Sequence, residues 1–152
     1  MAGYYYEEFD VGQVFKHAIR RTVTESDNVL FSALTHNPAP LHIDREYMRT
    51  ESEFGQPLVN SFFTLGLIVG ISINDTTLGT TVANLGLEEV RFPHPLFHGD
   101  TVHVETEVLA KRLSRSRPHN GLLTLEHRGY NQRDELVATC RRVVLMVRRP
   151  AA

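Results

Sequence analysis

The chain has 152 residues, 41% hydrophobic and 22% charged, with a net charge of −2. That length suits one packed core and the composition is that of a soluble globular domain. A pI of about 6.4 argues against general nucleic-acid binding, which needs a basic surface.

The single cysteine, Cys140, excludes an intrachain disulfide and fits a reducing, cytoplasmic compartment. Met1 to Gly12 carries acidic side chains and no basic start ahead of an apolar run, so no secretory leader is predicted. The most apolar run, Phe62 to Ile73, is too short to cross a bilayer and predicts a core helix.

In chain order, Tyr4 to Phe9 is an extended lead-in and Asp10-Val11-Gly12 a turn. Gln13 to Val23 alternates with a period of two, which predicts a strand. Thr24-Glu25-Ser26-Asp27 reads as a capping box, so a helix is expected from Glu25 to about Leu34, with Val29, Leu30, Ala33 and Leu34 at helical spacing. Asn37, Pro38 and Pro40 end it. Asp44 is a candidate N-cap for a second short helix, Arg45 to about Glu53. Ser61 to Ile73 is apolar almost all round, the mark of a buried helix, and Gly66 and Gly70 predict close approach of another element. Strands are expected over Thr81–Phe92, from Thr101 towards Arg115, over Leu122–Tyr130 and over Leu136–Arg148. Asn120-Gly121 marks a turn and Asn131 to Asp134 another. The sum is one α+β domain spanning 1–152: an antiparallel sheet of about five strands around one long apolar helix, with two short helices inserted after the first strand. An uncovered sheet face and edge predict a homodimer.

The chemistry gathers at Thr35 to Asp44 and at Pro57 to Ser61. His42 is either a loop histidine bonded to backbone or a proton-transfer group active near neutral pH. Asp44 orients that histidine or caps the following helix. Asn60 and Ser61 lie where a buried helix begins, and free N–H groups there stabilise an anion. Lys111, Arg112, Arg115 and Arg117 form a basic cluster that either meets phosphates or faces solvent. Arg45 and Arg91 are candidates for a substrate carboxylate. His94 and His98 are four apart, but prolines flank His94 and exclude a helical ligand pair, so no metal is expected. Cys140 has no nucleophile signature and predicts packing. There is no Gly-rich phosphate loop or dinucleotide fingerprint.

The order of elements, with NP-x-PLHxD in the loop, PLVNS before the apolar helix and HGDT opening the meander, resembles the hot-dog fold. More narrowly it resembles the MaoC-like, R-specific enoyl-CoA hydratases. Pro40, Leu41, His42 and Asp44 match that family's loop; its catalytic Asp falls on Asn37, its loop Asn on Ala39, and its His-Gly pair on Asn60-Ser61. Asn37, Pro40-Leu41-His42, Val59-Asn60-Ser61 and Asn84-Leu85-Gly86 are similar to the mesaconyl-CoA and itaconyl-CoA hydratase branch. The resemblance implies reversible hydration of a short, dicarboxylic 2-enoyl-CoA, with coenzyme A as part of the substrate and no other cofactor. His42 would carry the proton, Asn37 the water, and the Ser61 N–H the enolate oxygen. Asn60, Phe62 and Phe63 would line a shortened acyl tunnel, and Arg112, Arg115 and Arg117 would meet the coenzyme A phosphates. Two rivals stand beside this: a hot-dog thioesterase, which needs a carboxylate to activate water, and a non-catalytic acyl-CoA-binding or partner subunit.

Overall fold

The computed structural model describes residues 3–150, so both ends of the expected 1–152 domain lie outside the described residues. After a 3-10 turn, Tyr6–Glu8, come β1 (Val14–Lys16), β2 (Arg21–Thr22), α1 (Glu25–Leu34), α2 (Pro40–Ile43), α3 (Arg45–Glu51) and α4 (Ser61–Ile73). Then follow β3 (Thr81–Arg91), β4 (Thr101–Leu113), β5 (Asn120–Tyr130) and β6 (Leu136–Val147). The strands form one antiparallel sheet in the order β1-β4-β5-β6-β3, with β2 also on β4. α4 packs against β4, β5 and β6, as a sheet wrapped around one apolar helix predicts.

Buried and part-exposed positions alternate along β4 and β5, so every second side chain enters the core. Ile68 and Ile71 of α4 pack on Val102, Val104, Ala138 and Cys140. Burial pushes the Cys140 thiol up to about 11, so it is a packing group. Phe9, with Tyr6 and Phe15, covers the other half of the same sheet over Val108, Leu125, Val144 and Met146.

Several details differ from the sequence-based expectation. The strand over Gln13–Val23 is broken in two. From Val14 to Arg21 the chain advances seven residues while β4 advances only five, from Glu107 to Val102. In that gap His17 turns its ring inward, with Nδ1 2.6 Å from Asp75 and Nε2 2.7 Å from Thr106. Pro40–Ile43, expected as loop, closes a helical turn that adds a third short helix. Pro40 sits in its first turn, where the fixed φ suits a helix, and the Asp44 N–H donates to Pro40 O at 2.8 Å.

α1 keeps its predicted bounds and its capping box: Thr24 N–H donates to Asp27 Oδ2 at 2.8 Å, and Asp27 N–H to Thr24 Oγ1 at 3.2 Å. Its apolar residues nonetheless face outward. Val29, Leu30 and Leu34 are exposed, while Asn28 and Ser32 are buried. Asn120-Gly121 lies inside β5 and is not a turn. A Cβ on Gly121 would fall 2.2 Å from the Tyr6 ring, so this glycine admits the lead-in. Gly66 and Gly70 admit no close neighbour; a Cβ at either would meet nothing within 4 Å.

Candidate active site

The site grows from backbone bonds between distant segments. Leu58 N–H donates to Leu41 O, and Val59 N–H to Leu96 O, both at 2.9 Å. This fixes Pro57–Asn60 between α2 and the connector before β4. Asn28, fully buried on α1, ties the same groups together. Its Nδ2 donates to His42 O at 3.0 Å and Leu58 O at 2.9 Å, and its Oδ1 accepts the Asn60 N–H at 2.8 Å. Nδ2 also stands 2.9 Å from His98 Nε2, so two hydrogens are shared among three acceptors. Burial holds His98 below the usual imidazole range, which keeps it an acceptor. The sequence reading missed Asn28. Its signal was a polar pair one turn apart, Asn28 and Ser32, on a helix beside the loop.

His42 Nδ1 lies 2.9 Å from Leu58 O. A carbonyl oxygen only accepts, so Nδ1 carries the hydrogen and the neutral ring offers Nε2 as a base. The ring is nine-tenths buried and lines a cavity of about 390 Å³ together with Ser61, Thr64, Leu96 and His94. His94 Nδ1 lies 3.0 Å from Leu136 O, so its Nε2 is likewise unprotonated in the neutral form. It is a second imidazole on the same wall, one that sequence reasoning weighed only as a metal ligand.

At the start of α4, Asn60 Oδ1 accepts the Phe62 N–H at 3.1 Å and Asn60 O accepts the Thr64 N–H at 3.1 Å. Among the described residues, the Ser61 and Phe63 N–H groups have no acceptor. Ser61 lines the cavity as the first residue of α4, the end of the helix where the dipole favours negative charge. A base and an oxyanion site therefore share one cavity.

Other expected residues lie elsewhere. Asn37 does not line this cavity; its Oδ1 accepts the Ala39 N–H at 3.1 Å and shapes the turn before α2. Asp44 is exposed and caps α3, accepting the Tyr47 N–H at 2.9 Å, so Leu58 O and not Asp44 orients His42. Phe63 packs edge-on against Phe31, and Phe62 is 71% exposed on the far flank of α4; neither shortens the His42 cavity. Arg45 pairs with Glu25 at 2.7 Å and Arg91 with Glu89 at 3.0 Å. Lys111 donates to Phe9 O at 2.5 Å and lies over the Tyr6 ring, so it anchors the lead-in. Arg112, Arg115 and Arg117 gather around one pocket that touches Leu145, whereas the His42 cavity touches Val137 on the same strand. Those positions are eight residues apart, about 27 Å at 3.4 Å per residue. Among the described residues no three His, Cys, Asp or Glu side chains converge as metal ligands do, and no helix is long and apolar enough to cross a membrane.

An antiparallel sheet curled around one long helix is the hot-dog fold. The MaoC like domain family matches residues 8–131. Mesaconyl-CoA hydratase of Cereibacter sphaeroides is 31% identical over 151 residues, 99% of this chain and 43% of that protein. (R)-specific enoyl-CoA hydratase of Aeromonas caviae is 29% identical over 138 residues, 91% of this chain and 96% of that one. The crystal structure of the MaoC-like dehydratase from Rhodospirillum rubrum superposes with a TM-score of 0.84 at 31% identity, over 98% of this chain and all of that one. The chain belongs to the MaoC-like domain family. It spans about two fifths of the length of the mesaconyl-CoA hydratases it matches.

Proposed function

We propose that this hot-dog domain is a cytoplasmic hydratase, adding water reversibly across the double bond of a short 2-enoyl-CoA. It uses no cofactor beyond the coenzyme A of its substrate. One observation carries the reading: His42 Nε2, freed by the Nδ1–Leu58 bond, shares a cavity with the unpaired Ser61 N–H. The thioester carbonyl accepts from the Ser61 N–H. His42 takes a proton from water as its oxygen attacks the β carbon, and the π electrons move onto the carbonyl oxygen as an enolate. His42 then returns that proton to the α carbon, so atoms and charge balance with one imidazole. The relative named mesaconyl-CoA hydratase supports a short dicarboxylic acyl group.

Two copies are part of this reading. β3 is an edge strand that exposes Val82, Leu85, Leu87 and Val90, a surface that pairing with a second copy buries. The basic cluster, some 27 Å along β6 from the His42 cavity, then serves the phosphates of a thioester bound by the other copy. The thioesterase rival is weaker because no Asp or Glu lines the His42 cavity among the described residues.

Purified protein incubated with mesaconyl-, itaconyl- or crotonyl-CoA should give the hydrated ester by chromatography. All three returned unchanged would remove the reading, and free thiol would favour hydrolysis. His42→Gln keeps the ring's approximate volume without a base and should lower kcat by about 1,000-fold. Wild-type turnover in that variant takes His42 out of the mechanism.

A further inference from the structure

When a 2-enoyl thioester carries a second carboxylate on its β carbon, that carboxylate stays in the cavity that holds the carbonyl and the double bond. Its partner must therefore line the His42 cavity. Among the described residues no Arg or Lys does so. Arg45 and Arg91 lie outside it, paired with Glu25 and Glu89. The polar side chains of the lining are His42, Ser61, Thr64 and His94.

Three of these have other tasks or no charge to offer. His42 acts as a base through a neutral Nε2. Ser61 and Thr64 carry hydroxyls, which do not become cations, and the buried Thr64 hydroxyl donates to Asn60 O at 3.4 Å. His94 is left. Its Nδ1–H donates to Leu136 O at 3.0 Å, so a second proton enters on Nε2. His94 is exposed and can take that proton from solvent. The Leu58–Phe97 bridge is antiparallel, and Val59 N–H donates to Leu96 O at 2.9 Å beside it. Ser61 is three residues past Leu58 and His94 three before Phe97, so both reach the same end of the cavity. The nearby Glu135 is already engaged. Hydrogen bonds from Asn131 and then Arg133 hold its carboxyl below the usual range, and the charge of His94 contributes least.

A carboxylate taken out of water needs an opposite charge, and a carboxylate beside an imidazole favours the imidazolium. We propose that His94 selects the substrate: as the imidazolium, its Nε2–H donates to the second carboxylate of a dicarboxylic 2-enoyl-CoA. The inference rests on the hydratase reading and gives the two imidazoles of the cavity opposite duties. His42 stays neutral to take a proton from water, and His94 takes a proton from solvent as the ester binds. An ester without the second carboxylate leaves His94 idle.

The test compares mesaconyl-CoA with crotonyl-CoA, which lacks the second carboxylate. Binding is read by calorimetry in the His42→Gln background, which holds the esters without hydrating them and removes the other imidazole of the cavity. Mesaconyl-CoA should bind more tightly at pH 6. Its advantage should shrink towards pH 8.5, because an ordinary imidazole loses its charge near 6.5. Titration at pH 7.5 in two buffers of different ionisation enthalpy should show proton uptake with mesaconyl-CoA and none with crotonyl-CoA. Adding His94→Gln should abolish the uptake and lower the affinity ratio at pH 6 by about 10-fold, as loss of a charged hydrogen bond does. His94→Lys, a cation throughout this range, should keep the preference at pH 8.5. An unmoved ratio or unmoved uptake in His94→Gln overturns the proposal. Weakening of both esters alike also overturns it, since His94 is then only part of the wall. So does a His94→Lys ratio that falls with pH as the imidazole's does. Equal binding of both esters with His94 intact overturns it too, and leaves the hydratase reading standing if wild type hydrates crotonyl-CoA. No turnover of either ester by wild type removes the hydratase reading alone, since the binding ratio needs no chemistry.

Discussion

Ser61→Pro removes the backbone N–H of Ser61 together with its hydroxyl, and Ser61→Ala removes the hydroxyl alone. Ser61 is the first residue of α4, a position that proline's fixed φ suits. Asn60 before it sits at φ −57° and ψ 125°, within the extended ψ range that the residue preceding proline adopts. The Ser61 N–H has no acceptor among the described residues, so the helix loses no bond. Stability should stay within about 0.5 kcal/mol of wild type in urea titrations, as for substitutions outside packed contacts. Catalysis should not survive intact. An oxyanion donor contributes about 3 kcal/mol, and at about 1.4 kcal/mol per decade that predicts a fall of roughly 150-fold in kcat. Initial rates at saturating crotonyl-CoA read this directly. Ser61→Ala keeps the N–H and should stay within about threefold of wild type, because the role belongs to the backbone. A folded Ser61→Pro enzyme with wild-type kcat refutes the oxyanion assignment. Equal impairment of the alanine and proline variants would instead make the hydroxyl the active group.

Asn28→Asp should be more destabilising than Asn28→Ala, although it is nearly isosteric. It turns a donor facing His42 O and Leu58 O into an anion facing two carbonyls, at an expected cost of about 3 kcal/mol or more by urea unfolding at pH 8. Equal stability of wild type and Asn28→Asp would show that the amide does not hold the site together. His127 predicts acid lability. Burial, then the charge of Arg142, pushes its pKa down to about 3, far below the ordinary value near 6.5. The folded state therefore keeps the ring neutral. Its contribution is complete above pH ~6.5 and is lost as pH falls towards the folded value, by about 2 kcal/mol between pH 6.5 and 5. His98, lowered by burial, acts in the same direction. Unfolding free energies that stay flat from pH 7 to 5 contradict this account.

How much of this was visible in the sequence follows from where the information resides. α1 and α4 were legible to the residue because their starts are local: Thr24 and Asp27 bond each other, and Asn60 bonds the N–H two residues on. β4 was legible from alternation, which its burial pattern repeats. The faces of α1 were not. A hydrophobic pattern assigns burial to Leu30 and Leu34, but Asn28 and Ser32 are buried because they satisfy backbone and cap groups of segments far along the chain. His42 follows the same logic. The motif identified the imidazole, yet the group that fixes its tautomer is the carbonyl of Leu58, which any residue at that position would supply. Asp44, the nearest carboxylate in sequence, is spent on the cap of α3. Arg142 is the extreme case. Arg141 and Arg142 are adjacent, identical in composition and opposite in environment, one pairing with Glu126 at the surface and one sealed beside His127. Only the register of β6 against β5 decides which of the two points inward, and a one-residue slip would exchange the buried guanidinium for the exposed one.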